Sequence, residues 1–179
     1  MNALRSLRRL QFTPSHTHGS HHISRRFNTT YGFVGLGQMG SRMCNNLIAK
    51  TKPDSTVYVY DSYQPSLTEA TSNGAVAVDS VADLSAHCDV IITMLRSDEQ
   101  VHSVYSQILS KTLKDDALLI DSSTVNYLTS RDIAAKIPST VSILDAPVSG
   151  GIGAAAAGSL TFMCGGNQAT YERAKAVLG

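Results

Sequence analysis

Gly35-Leu36-Gly37-Gln38-Met39-Gly40 limits the possible folds of this chain more than any other stretch. Such a hexapeptide alone is common, but its setting here is not. Tyr31 to Val34 before it reads as a short buried strand, and Ser41 to Lys50 after it reads as a helix. Thr56 to Tyr60 reads as a second strand that runs into Asp61, about twenty residues past the turn. Strand, glycine turn, helix, strand and terminal carboxylate form a dinucleotide-binding fingerprint. Gly35 allows the tight exit from the strand, Gly37 lets the backbone approach a pyrophosphate, and Gly40 lets the helix lie close to the sheet. Leu36, Gln38 and Met39 complete a turn whose helix N-terminus offers free amides and a partial positive charge to phosphates. Asp61 would accept hydrogen bonds from the adenosine ribose. Its charge repels a 2′-phosphate, and Ser62-Tyr63 supplies no arginine to receive one, so NAD is expected over NADP.

The alternation of short apolar runs with amphipathic ones continues. Helices are expected over Pro65–Ser72, Ser80–Leu84, Asp98–Leu113 and Thr129–Ile137, and strands over Ala75–Val78, Asp89–Leu95, Ala117–Asp121 and Val141–Asp145. Asp79 or Ser80 caps the second of these helices. This βα repetition predicts an α/β fold, a doubly wound, mostly parallel Rossmann-type sheet with ligands at the carboxyl ends of its strands. Three loops follow such ends: Arg96-Ser97-Asp98, Ser122-Ser123-Thr124-Val125 and Ala146-Pro147-Val148-Ser149-Gly150-Gly151. The last two carry hydroxyls and free amides, suited to holding a carboxylate without a formal cation. Ser122, Ser123 and Thr124 serve equally well as helix caps. The small-residue run Gly153–Ser159 reads as a tight turn or a gate, and the sequence does not choose. A hydrolase elbow is excluded at Ser149, because the position two residues earlier is Pro147 rather than glycine.

Charge is distributed unevenly. No acid precedes Asp54, whereas Arg5, Arg8, Arg9, Arg25 and Arg26 lie in the first thirty residues; without them acids outnumber Lys and Arg. The remainder lacks the basic surface that nucleic acid requires. Residues 1–29 are Arg-rich, acid-free and spaced with Leu4, Leu7 and Leu10, the composition of a mitochondrial transit peptide, which predicts a matrix location. The folded part is then residues 30–179. His16, His18, His21 and His22 fall in that leader without acid or cysteine partners, so no metal site is expected. Cys44, Cys88 and Cys164 are widely spaced and read as reduced, buried thiols. No apolar run is long enough for a membrane helix.

Taken together these motifs resemble the β-hydroxyacid dehydrogenases. Five stretches in order carry the resemblance, which spans about Tyr31 to Gly179: Gly32 to Gly40, Asp89 to Leu95, Ile120 to Thr124, Asp145 to Gly151, and Gly158 to Gly166. The resemblance implies NAD-dependent oxidation of a small 3-hydroxy carboxylate to its semialdehyde, within valine breakdown. By motif position it implies that Leu95, Arg96, Gln100 and Thr124 lie along the cofactor toward its nicotinamide ribose. It implies likewise that Ser122 and Ser149-Gly150-Gly151 hold the substrate carboxylate. One departure stands out, since the family's proline after Met-Leu is Arg96 here. The family's catalytic lysine sits in a G-x-x-x-K setting, and none of Lys50, Lys52, Lys111, Lys114, Lys136 or Lys175 does. The resemblance puts that lysine, and the family's all-α second domain that forms the homo-oligomer, beyond Gly179. The expectation is therefore a truncated chain that binds NAD and turns over little or nothing alone. Two alternatives stay open: a non-catalytic NAD-binding module, and a relative acting on a different 3-hydroxy acid or semialdehyde.

Overall fold

Six apolar runs form one sheet, β1 (Thr30–Val34), β2 (Thr56–Tyr60), β3 (Val76–Ala77), β4 (Val90–Thr93), β5 (Leu118–Asp121) and β6 (Ser142–Asp145). The computed structural model describes residues 29–179 apart from Lys52 and Asp54, so the expected transit peptide and its histidines lie outside the described residues. The strand order is β3-β2-β1-β4-β5-β6, and every pairing is parallel. Tyr31 pairs with Val57 on one side and Val90 on the other, so the chain reverses its direction of winding between β1 and β4. Ligands of doubly wound folds bind at this switch point.

The helices sort onto two faces. α1 (Gly40–Thr51), α2 (Gln64–Ser72), α6 (Gly151–Ala157) and α7 (Gln168–Leu178) meet Phe33, Ile92, Leu118 and Ile120 on one face. α3 (Val81–His87), α4 (Asp98–Ile108) and α5 (Tyr127–Lys136) meet Val34, Ile91 and Leu119 on the other. Successive strand residues point to opposite faces, so β4 and β5 are buried at every position, as central parallel strands require. In α1, Met43, Cys44, Leu47 and Ile48 form one buried stripe, and a fully buried Leu or Ile contributes roughly 1.5–3 kcal/mol. Ser80, Ser97, Asn126 and Asn167 cap α3, α4, α5 and α7 by accepting a backbone amide near each helix start.

Four differences from the sequence reading have physical causes. α4 stops at Ile108, with Leu109 as its C-cap, and the following chain turns so that Leu113 is buried again. α5 is capped by Asn126 rather than by the preceding hydroxyls, which frees Ser122 and Ser123 for other contacts. The small-residue run is neither turn nor gate but α6, ended by Gly158 in the left-handed conformation; alanines favour helix without any apolar period to announce it. Finally, β7 (Val148–Ser149) and β8 (Thr161–Phe162) pair antiparallel as a small hairpin too short to show alternation. Beside it, Asp145 and Gly165 exchange backbone hydrogen bonds at 3.0 and 2.7 Å, which seats the segment on the edge of β6. Asn46 of α1 donates to the Ala155 carbonyl at 2.7 Å and docks α6.

Candidate functional site

The glycine turn is fixed by close packing. A Cβ on Gly40 would lie 1.9 Å from the Gly35 carbonyl oxygen, and one on Gly35 would lie 2.3 Å from that of Met94. α1 can therefore begin directly against the end of β1 only with glycine at both places. The turn is also tied to β2: the Leu36 amide donates to Asp61 Oδ2 at 2.5 Å, and the Tyr63 amide donates to Oδ1 at 2.8 Å. Asp61 thus holds the turn, and each oxygen keeps a lone pair for a ribose hydroxyl. Among the described residues nothing accepts from the amides of Gly37, Gln38 or Met39, which stand at the start of α1 as unpaired donors. Free amides, a helix N-terminus and a turn without side-chain bulk at Gly37 fit a dinucleotide pyrophosphate.

The loop after β4 covers this turn. Leu95 Cδ2 lies 3.1 Å from where a Gly35 Cβ would be, and Arg96 Nη2 lies 3.5 Å from the corresponding point on Gly37. Two hydrogen bonds pin the loop backbone. The Leu95 amide donates to Ser123 Oγ at 2.9 Å, and the Arg96 amide donates to Gln100 Oε1 at 3.1 Å. Gly35, Gly37, Leu95, Arg96 and Gln100 are thus brought together. The sequence offered Ser123 as a carboxylate ligand or a helix cap; its hydroxyl instead locks the β4 loop to the β5 loop.

At the end of β5 the buried side chains are polar. Asp121 accepts from Thr93 Oγ1 at 2.9 Å and from the Ser123 amide at 3.0 Å, and Thr93 Oγ1 lies 3.3 Å from the hydroxyl of the fully buried Tyr105. Burial pushes the Asp121 carboxyl above the usual carboxylate range, and the bonds from Ser123 and Thr93 only partly offset this. Burial also raises the carboxyl of Asp145, its partner across the β5–β6 pairing. Ser122 is wholly buried, and its hydroxyl has no hydrogen-bond partner among the described residues. Thr124 is exposed beside it. A carboxylate ending an apolar strand was the sequence signal for the Thr93–Asp121–Tyr105 group, although the partners could not be read.

Ser149, Gly150 and Gly151 are exposed at the start of α6. Gly151 has φ +71°, and a Cβ there would meet nothing within 4 Å among the described residues. Among the described residues no hydrogen bond joins these three to the glycine turn or to Ser122. Among the described residues, too, no group of three His, Cys, Asp or Glu is placed to hold a metal ion, and no helix is long and apolar enough to cross a membrane. Cys44 and Cys88 are buried, and burial pushes both thiols up to about 12, so they stay protonated and inert. Cys164 is only partly covered.

Comparison with known proteins gives a consistent result. A family model described as the NAD binding domain of 6-phosphogluconate dehydrogenase matches residues 30–179. The mitochondrial 3-hydroxyisobutyrate dehydrogenase of Homo sapiens is 38% identical over 154 residues, covering 84% of this chain and 45% of that protein. The enzyme of the same name from Drosophila melanogaster is 36% identical over 148 residues, covering 82% and 45%. Among solved structures, 3-hydroxyisobutyrate dehydrogenase of Mycobacterium tuberculosis with L-serine superposes with a TM-score of 0.79 at 37% identity, covering 85% of this chain and 51% of that one. The chain spans about half the length of the curated relatives it matches.

Proposed function

We propose an activity for a chain that belongs to the family of the NAD binding domain of 6-phosphogluconate dehydrogenase: it forms the cofactor-holding part of an NAD-dependent 3-hydroxyisobutyrate dehydrogenase acting in valine breakdown. The observation that carries the reading is Ser122, a buried hydroxyl without a partner at the same strand-end edge as the glycine turn. An unsatisfied buried polar group is costly and rare in a folded protein, and a small hydroxy-carboxylate would supply the missing bond. Names of similar proteins, and the L-serine in one of their structures, support this substrate class.

In this reading the amides of Gly37, Gln38 and Met39 hold the pyrophosphate, and Asp61 holds the adenosine ribose. Leu95, Gln100 and Thr124 lie toward the nicotinamide ribose. Ser122 and the amides of Ser149, Gly150 and Gly151 orient the substrate carboxylate. The chemistry that a bound NAD would supply here is acceptance of a hydride from the carbinol carbon. The hydroxyl proton needs a general base, which the family places in a G-x-x-x-K setting found nowhere among these 179 residues. The chain alone should then bind NAD and turn over little, since loss of a general acid–base costs about a hundredfold to ten-thousandfold. The Arg-rich leader and the mitochondrial names of the relatives support a matrix location. A reporter fused to residues 1–29 should enter mitochondria, and a cytosolic reporter would refute this location.

Two measurements test the reading. Titration with NADH and NADPH should show NADH preferred, and Asp61→Asn, which keeps an acceptor for the turn but loses the charge, should weaken NADH by about tenfold while changing NADPH much less. Equal losses would remove the ribose role. Second, a form carrying the remaining length of the relatives should oxidise 3-hydroxyisobutyrate with a higher kcat/KM than L-serine or other 3-hydroxy acids; the reverse order would assign a different substrate.

A further inference from the structure

We infer that Arg96 supplies a formal positive charge to the cofactor's pyrophosphate from across Gly37. The inference rests on the reading that a dinucleotide occupies the glycine turn. Glycine turns hold pyrophosphate with neutral amides and a helix dipole, and here a guanidinium stands over the same cradle. Arg96 Nη2 and Nε lie 3.5 and 3.8 Å from the point where a Gly37 Cβ would be, and among the described residues, the two chain neighbours of Gly37 aside, no other atom comes within 4 Å of that point. The side chain is exposed, and no carboxylate among the described residues pairs with it.

Its root is fixed. The Met94 amide donates to the Val34 carbonyl at 3.0 Å, the Leu95 amide to Ser123, the Arg96 amide to Gln100, and Ser97 caps α4 one residue later. A side chain whose backbone is held at four successive positions loses less freedom when it engages a ligand. No acid competes from the helix, because the first turn of α1 carries none, and Asp61 is already engaged by the Leu36 and Tyr63 amides. A Cβ at Gly37 would meet the guanidinium only at ordinary contact distance, so the arginine lies against the same surface that the phosphate would approach. The planar fork of arginine suits two phosphate oxygens at once.

The consequence is an ionic component in cofactor affinity that a neutral turn lacks. NADH titrations of the 179-residue chain, with Arg96→Gln and Arg96→Lys beside it, test this at low and at high potassium chloride. Arg96→Gln should weaken NADH by about fivefold to twentyfold at low salt, the range for a charge-assisted contact that is solvent-exposed. The gap should narrow at high salt as screening weakens the wild-type contact, and Arg96→Lys should keep part of the affinity. With ADP and adenosine as competitors, Arg96→Gln should lose ADP affinity and keep adenosine affinity. Unchanged NADH affinity in Arg96→Gln, equal loss of ADP and adenosine, or a difference independent of salt would each overturn the inference while leaving the cofactor site standing. Failure of the wild-type chain to bind NADH would bring down the cofactor reading and the inference with it.

Discussion

The turn after β1 and the turn after β5 lie at the same end of one sheet, yet they treat their polar groups in opposite ways. In the first, shape comes from packing: Gly40 admits no side chain because the Gly35 carbonyl is against it, and Asp61 clamps the Leu36 amide. In the second, two adjacent buried serines divide the work. Ser123 spends its hydroxyl on the Leu95 amide, whereas Ser122 keeps a buried hydroxyl without a partner. The difference teaches that the first turn satisfies its shape and its Leu36 amide from within the described residues, while the β5 turn keeps one buried hydroxyl unsatisfied, the group that the proposed reading gives to a ligand.

Three substitutions probe that contrast. Gly40→Ala has the largest expected effect. Its Cβ meets a backbone oxygen that moves only if the whole turn moves, so urea denaturation should show a loss of about 3 kcal/mol, the upper range for overpacking, together with loss of NADH binding. Stability and affinity like those of the wild type would show that packing does not set the turn. Ser123→Ala comes next, because it orphans the Leu95 amide; a loss of about 2 kcal/mol is expected by the same assay, with weaker NADH binding as the Arg96 loop loosens. Ser122→Ala should have the smallest effect on stability, within about 0.5 kcal/mol of wild type or slightly above it, because it removes a polar group that has no partner to lose. If it destabilises the fold as much as Ser123→Ala, the two serines share one structural role and the contrast fails.

Much of this architecture could be read before any coordinates. The β1–α1–β2 unit was legible to within a residue or so at each end, because a two-sided buried strand, a glycine turn and an amphipathic stripe each leave their own period. A cap at Asp79 or Ser80, which the fold gives to Ser80, and Pro138 as the stop for α5 were legible for the same local reasons. The β7–β8 hairpin and α6 were not. Two-residue strands have no measurable alternation, and alanine-rich helices have no polar face to contrast with an apolar one. The separate jobs of Ser122 and Ser123 were also hidden. Sequence shows that both can hydrogen-bond, but only the register of β4 beside β5 brings Leu95 to one of them. Arg96 stood out as a departure from a motif, and its position over Gly37 came from the folded loop alone.

The small hairpin beyond β6 also bears on how the chain behaves in company. An open parallel sheet has two rims of unpaired amides and carbonyls that invite other strands to join. Here one rim is β3, only two residues long, and the other is β6, whose Asp145 already exchanges hydrogen bonds with Gly165. Neither rim offers a long, flat template. Among the described residues, a sheet finished in this way offers little template for strand-by-strand self-assembly.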